Sequence, residues 1–336
     1  MGVFLDRARR IADEVFFPAA NAVDARGVVP GSHFDLLAEE GFYALAAPAE
    51  IGGPGLELPE IVAVLETLVG GCLSTTFTWM QHHGVVLALS STPSADLREQ
   101  HLAAALKGET RFGVAFAGAI PPVPRLRAER VDGGFRLHGE APFVSGWGNI
   151  DFLQVSARDG DQVINGLVEP AAGRTLRVEG LDLVAAQATS TVRLEFDGYE
   201  LPADQVVGET THAEMPAGQV VGSRLNGCLA CGLTGRIIRL LEELGDTGRA
   251  AKLRAELDEV RRRLDAGLAD ADLLYPARAA ASELAHRAAG VLVAATGSAS
   301  VLRANHPQRL AREAVFTLIA AGRPQTKAAL LDLLVP

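Results

Sequence analysis

Residues 131–158 read VDGGFRLHGEAPFVSGWGNIDFLQVSAR. Two runs of strand-like composition, 135–137 and 152–155, flank a short segment centred on Phe143, Val144 and Ser145, and Asp132-Gly133-Gly134 ahead of them is a hairpin signal. Apolar side chains can cover the face of a flat ligand ring, while Ser145 offers a hydroxyl and a backbone N–H to its polar edge, which must stay paired in a dry pocket. Taken alone, the stretch also reads simply as the core of a β-hairpin.

The run GFRLHGEAPFVSGWGNIDFLQVSAR resembles the middle-domain signature of the acyl-CoA dehydrogenase family, a G-x-K-x-W-I-T-N run followed by A-D-x-x-x-V-x-A-R. Phe143 takes the tryptophan place, Val144 the isoleucine and Ser145 the hydroxyl residue at the flavin. Upstream, Glu40, Gly41, Leu45, Pro48, Gly52, Gly53 and Gly55 fit the family's E-x-G-[FL]-x-x-L-x-x-P-x-x-x-G-G-x-G. Downstream, Ser190, Phe196, Leu201, Pro202 and Gly208 occupy the frame that closes its middle domain, with leucine for the usual valine before the proline.

The periodicity around these motifs divides the chain into three. Helical spacing runs from Phe4 to about Ala105: Leu5, Ala8, Ile11, Ala12, Val15 and Phe16 form a stripe that Pro18 is expected to end, and Phe34, Leu36, Leu37, Gly41 and Phe42 are assigned to a second helix. Residues 73–89 make an apolar helix carrying His82 and His83, neighbours that do not share a face and so read as packing residues rather than metal ligands. Alternation then sets in at Phe112, Val114 and Phe116 and returns at Val192, Leu194 and Phe196. Beyond Gly208, helices are expected over 220–244, 248–268, 275–295, 307–320 and 325–334, the alanine-rich 277–295 allowing close helix packing of the kind used at buried subunit contacts. The charged run from Arg254 to Arg263 reads as solvated i,i+4 pairing. The expected fold is α+β: an N-terminal α-helical domain (1–109), a middle β barrel or sandwich (110–208) and a shortened C-terminal α-helical bundle (209–336).

Size and composition set outer limits. The 336 residues can build two or three real cores, and 48% hydrophobic against 21% charged content describes a globular chain. A net charge of −10 argues against nucleic-acid backbones as partners. No apolar run reaches membrane-spanning length and residues 1–10 lack a signal-peptide core, so a cytoplasmic protein is expected. Three cysteines, Cys72, Cys228 and Cys231, suit a reducing compartment; the C-x-x-C formed by the last two reads as small residues on a packed helix.

The family resemblance implies an FAD site between the middle domain and the C-terminal helices, with Val114, Ala115, Phe143, Val144, Ser145 and Arg323 as the cofactor-binding candidates. It also implies a glutamate that takes the α-proton of an acyl thioester, carried on coenzyme A or a carrier protein, while the β-hydride passes to the flavin. Anchored on Arg312, that glutamate's place is Ala321; the alternative place used by some members falls near Gly222. Neither is acidic. The family's T-E-P-x-x-G-S-D is reduced to Ala115-Phe116-Ala117-Gly118-Ala119, and the R-x-x-F-G run expected near Arg249 has no counterpart. Three functions are compatible with this: the base-less subunit of a heteromeric dehydrogenase completed by a fuller paralogue, a homo-oligomeric flavoenzyme of modified chemistry (an oxidase or monooxygenase-like relative) in which Arg323, Glu313 or His306 acts, and a scaffold that has lost FAD. No metal is expected.

Overall fold

The computed structural model describes residues 2–215 and 220–335; the outer domain limits at Met1 and Pro336, and residues 216–219 within the last domain, lie outside it. Helices come first. Val3–Arg10 (α1) runs through a π-helical stretch, Ile11–Phe16, straight into Phe17–Arg26 (α2). Pro18 therefore does not stop this helix. It occupies the first turn after the π stretch, where the change in hydrogen-bond spacing accommodates a residue without an N–H. The chain turns at Gly27 (φ 68) into Gly31–Glu39 (α3), which ends at Gly41 (φ 79), so Phe42 belongs to a separate short turn rather than to that helix. Leu58–Gly71 (α4), Leu73–Ser91 (α5) and Ala95–Lys107 (α6) complete this part. Its core gathers Phe16, Phe34, Leu37, Phe42 and Trp79.

The eight strands that follow are Phe112–Ala115 (β1), Leu126–Val131 (β2), Gly134–Val144 (β3), Phe152–Asp159 (β4), Gln162–Val168 (β5), Leu176–Gly180 (β6), Val192–Pro202 (β7) and Val206–Thr211 (β8). Phe116 falls outside β1. The Asp132-Gly133 turn joins β2 to β3 in the antiparallel hairpin that the sequence signals, Val131 facing Gly134. The two runs flanking Phe143–Ser145 are not partners, however. The sheet order is β6-β7-β3-β2-β4-β5-β8, and β2 and β1 share one edge of β4, both parallel to it. The two halves meet through the single pairing of Arg127 with Arg158 and enclose one core, with Leu137, Val144, Val192 and Leu194 from one half and Leu153, Val155 and Ile164 from the other. On the outer face of β1, β4, β5 and β8, Phe112, Leu167 and Val207 pack under Val85, Val86 and Leu97 of α5 and α6.

The last part is a bundle of Val220–Glu243 (α7), Thr247–Ala266 (α8), Ala271–Thr296 (α9), His306–Ile319 (α10) and Pro324–Leu334 (α11). The alanine-rich α9 packs closely, as its composition suggests, and does so inside this chain's own bundle, where Ala277, Ala281, Ala285 and Ala288 are buried. The pairs on the charged run are i,i+3 (Arg261–Asp258, Arg262–Glu259) or reach other helices, as Arg254 does to Glu242. Polar links then tie the two helical parts together. Arg236 and Arg239 of α7 grip Asp13, Arg312 of α10 grips Asp24, and Arg261 of α8 donates to the buried Glu66 at 2.6 and 2.9 Å. Where α4 meets α7, a Cβ on Gly232 would stand 2.4 Å from the Glu66 carbonyl oxygen, so only glycine permits the approach.

Candidate functional site

Phe143, the next-to-last residue of β3, has its backbone in the left-handed region (φ 54) and is 65% exposed. An L-residue there costs on the order of 1–2 kcal/mol, and more readily tolerated residues are small. Among the described residues, the other non-glycine positions with positive φ are Ala186 (56), Ser190 (49) and Ala321 (47). All four belong to one neighbourhood. Ser145 Oγ lies 2.7 Å from Thr191 Oγ1, which lies 2.7 Å from Thr189 Oγ1, which donates to Ala186 O at 2.8 Å. The backbone follows the same path: Gly146 N donates to Thr189 O and Trp147 N to Ser190 O. Ala186 then shares an apolar cluster with Ala320, Val69, Leu73 and Leu229, against which Phe77, Met80 and Phe316 lean. Backbone strain is thus concentrated at one junction of the three structural parts.

Behind this junction stands Arg278 of α9, a buried arginine without an ion pair among the described residues. Its Nη1 donates to Ser223 O at 2.9 Å and its Nη2 to Ala320 O at 3.2 Å. Burial pulls its pKa down to about 10, with the Cys228 and Cys231 thiols acting the other way. Those two acceptors are next to Gly222 and Ala321, the two places at which sequence resemblance sets a catalytic base. One guanidinium thus holds together two positions almost a hundred residues apart, and neither carries a carboxylate.

The remaining candidates are distributed as follows. Val144 and Ala115 turn their side chains into the sheet core and Val114 packs toward α5 and α6, so these three have only their backbone to offer a ligand. Arg323 precedes α11, half-buried and without an ion pair among the described residues; burial lowers its pKa, and Tyr275 acts the other way. Glu313 accepts Arg309 Nη1 on both oxygens at 2.7 Å in a buried pair, and Arg309 also donates to His306 Nδ1. His306 stacks on Phe17 at 4.0 Å, its pKa held down to about 4 by burial and by Arg309 and Arg236. Both are therefore occupied as structure. Arg249 pairs with Asp246 on the surface. His82 joins α5 to the sheet, accepting from Phe112 N and bonding Ala105 O, and burial pushes the Cys228 thiol up to about 12. Both residues keep the packing role that the sequence suggests.

Sequence reasoning missed Thr189, Thr191 and Arg278. The first two had a signal, the hydroxyl run Thr189-Ser190-Thr191 just before the alternation of β7; Arg278 had none. Thr78 of α5 was also missed. Its buried hydroxyl has no hydrogen-bond partner among the described residues and its methyl would meet a Cβ on Gly146 at 3.2 Å, which puts an unused polar group against the Ser145 loop.

Helical part, sheet and helical bundle follow in this order, with the strained residues gathered where they meet. Residues 3–109 match the N-terminal domain of acyl-CoA dehydrogenases. Benzylmalonyl-CoA dehydrogenase of Aromatoleum aromaticum is 29% identical over 205 residues, which are 59% of this chain and 54% of that protein. The sequence match thus spans about half the length of that curated relative. Butyryl-CoA dehydrogenase of Megasphaera elsdenii shares the fold with a TM-score of 0.82 at 16% identity, over 99% of this chain and 97% of that one. The FAD complex of PigA does so with a TM-score of 0.83 at 18% identity, over 98% and 96%. The family-model match over residues 3–109, the sequence relatives and the shared fold all support membership of the acyl-CoA dehydrogenase family. Among the described residues no helix is long and apolar enough to cross a membrane.

Proposed function

We propose that the chain is an FAD-binding, acyl-CoA dehydrogenase-like oxidoreductase subunit, cytoplasmic and built as domains 1–109, 110–208 and 209–336, whose catalytic base comes from a fuller paralogue in a heteromeric complex. The observation that carries this reading is the meeting of Gly222 and Ala321 at Arg278, at a strained junction, with no carboxylate at either position. The exposed Phe143 ring and the Ser145 hydroxyl fit the ring end of a flavin. The pyrophosphate end has less to meet it, Arg323 being the one candidate cation named above, which is why a second subunit is invoked there as well. FAD, when bound, supplies the two-electron acceptor. In this chain, Phe143 and Ser145 would position the ring and the apolar cluster around Phe77 and Phe316 would exclude water, while the partner would remove the α-proton of an acyl thioester on coenzyme A or a carrier protein.

One observation favours a second reading. Arg323, a cation two residues from Ala321, suits a homo-oligomeric flavoenzyme that stabilises an anion instead of abstracting a proton. Replacement of Ser145 by valine tests the shared part of both readings. It removes the hydroxyl from the ring's polar edge and strands the ring atom that pairs with it, at a cost of about 1–3 kcal/mol, so affinity for the redox form bearing that partner should fall by roughly 10-fold or more. Unchanged affinity for both oxidised and reduced flavin in a folded Ser145→Val protein would place the cofactor elsewhere.

A further inference from the structure

The hydroxyls behind Ser145 have a direction. Each carries one hydrogen. Thr189 Oγ1 sits 2.8 Å from Ala186 O, and a carbonyl only accepts, so the Thr189 hydrogen points there. The hydrogen shared by Thr189 and Thr191 must then come from Thr191, and that shared by Thr191 and Ser145 must come from Ser145. All three residues are buried, so bulk water does not re-sort the chain. At its outer end Ser145 keeps lone pairs and no hydrogen to give.

We propose that Thr189 and Thr191 are positioning residues that hold the Ser145 hydroxyl as a hydrogen-bond acceptor, so that this site favours a ligand atom bearing an N–H over one bearing a lone pair. This rests on the flavin reading above. The central-ring nitrogen of a flavin has a lone pair in the oxidised form and an N–H after two-electron reduction, so a fixed acceptor beside it stabilises the reduced form. Consecutive hydroxyls reinforce one another's polarity, which strengthens the preference. The inference is specific to this chain's three-hydroxyl run, which ends on the strained carbonyl of Ala186.

The test is the midpoint potential of the flavin bound to the purified protein, or to its co-purified complex, measured by dye equilibration in native, Thr191→Val and Thr191→Ser forms. Valine matches threonine in shape but breaks the chain, freeing the Ser145 hydrogen to donate. The ratio of oxidised to reduced dissociation constants should drop about tenfold, which lowers the potential by about 30 mV for a two-electron couple, and oxidised flavin should bind more tightly. Thr191→Ser keeps the chain and should match the native protein. If Thr191→Val does not fold, Thr189→Val cuts the chain one link further in and carries the same expectation. A folded variant with stoichiometric flavin and an unchanged or raised potential overturns the proposal alone. Absence of flavin from the native protein and from its complex overturns the flavin reading and this proposal with it.

Discussion

Ala321→Glu asks whether the junction is a dehydrogenase site that merely lacks its base. Ala321 is exposed and already left-handed at φ 47. Replacing one Cβ-bearing residue with another there adds little backbone strain, so the stability change should stay within about 0.5 kcal/mol. A positioned base contributes about 10²–10⁴-fold, equivalent to about 2.7–5.4 kcal/mol of barrier at about 1.36 kcal/mol per tenfold. Because Arg278 bonds the backbone beside both positions, a glutamate at Gly222 should act on the same place. Among the described residues, and apart from the helix's own backbone and its chain neighbours, no atom lies within 4 Å of where a Cβ on Gly222 would stand, so there is room. The assay is anaerobic stopped-flow bleaching of the bound flavin by a panel of acyl-CoA thioesters. Either glutamate should speed bleaching by about 10²-fold or more over the unsubstituted chain. If both variants retain flavin and fold, and neither gains rate with any thioester, the junction is not where the substrate's α-carbon lies.

Two further predictions concern stability. His82 and His83 are held neutral by burial, with pKa values of about 4 and about 3, below the ordinary 6.5. The unfolded chain binds protons that the folded chain refuses, so stability is full above pH 6.5 and declines as pH falls toward 4, by roughly 1.4 kcal/mol per unit for each histidine. Urea midpoints that stay level between pH 6.5 and 4.5 would contradict this. Glu313→Ala leaves the buried Arg309 guanidinium without its carboxylate and should cost about 3–5 kcal/mol, whereas Glu313→Leu combined with Arg309→Met should recover much of it; chemical denaturation of the three proteins decides between an essential pair and an incidental one.

How much of this was legible in the sequence follows from what each feature depends on. The helices of the C-terminal bundle could be placed to within a few residues because their apolar spacing is regular and capped by Gly and Pro, as at Gly245 and Pro324. The β2–β3 hairpin was legible because a two-residue Asp-Gly turn demands it. The insertion of β2 between β3 and β4 was not, since strand order depends on pairings between residues distant in sequence. Pro18 misled because the π stretch that accommodates it has no signature of its own. At the site, Phe143 and Ser145 could be named by resemblance, yet the strain at Ala186, Ser190 and Ala321 was invisible: alanine and serine give no hint of a left-handed backbone, which glycine would have announced. Arg278 belongs with them, because a buried staple between Ser223 and Ala320 exists only once three helices have packed.

The account stands or falls on whether this chain shares its active site with a longer relative. Native mass spectrometry of the intact complex from its own cells measures this most directly. A mass equal to copies of this chain plus a longer family member plus FAD is the predicted result. An assembly of this chain alone with one FAD per subunit, bleached at an ordinary rate by an acyl-CoA, would contradict it.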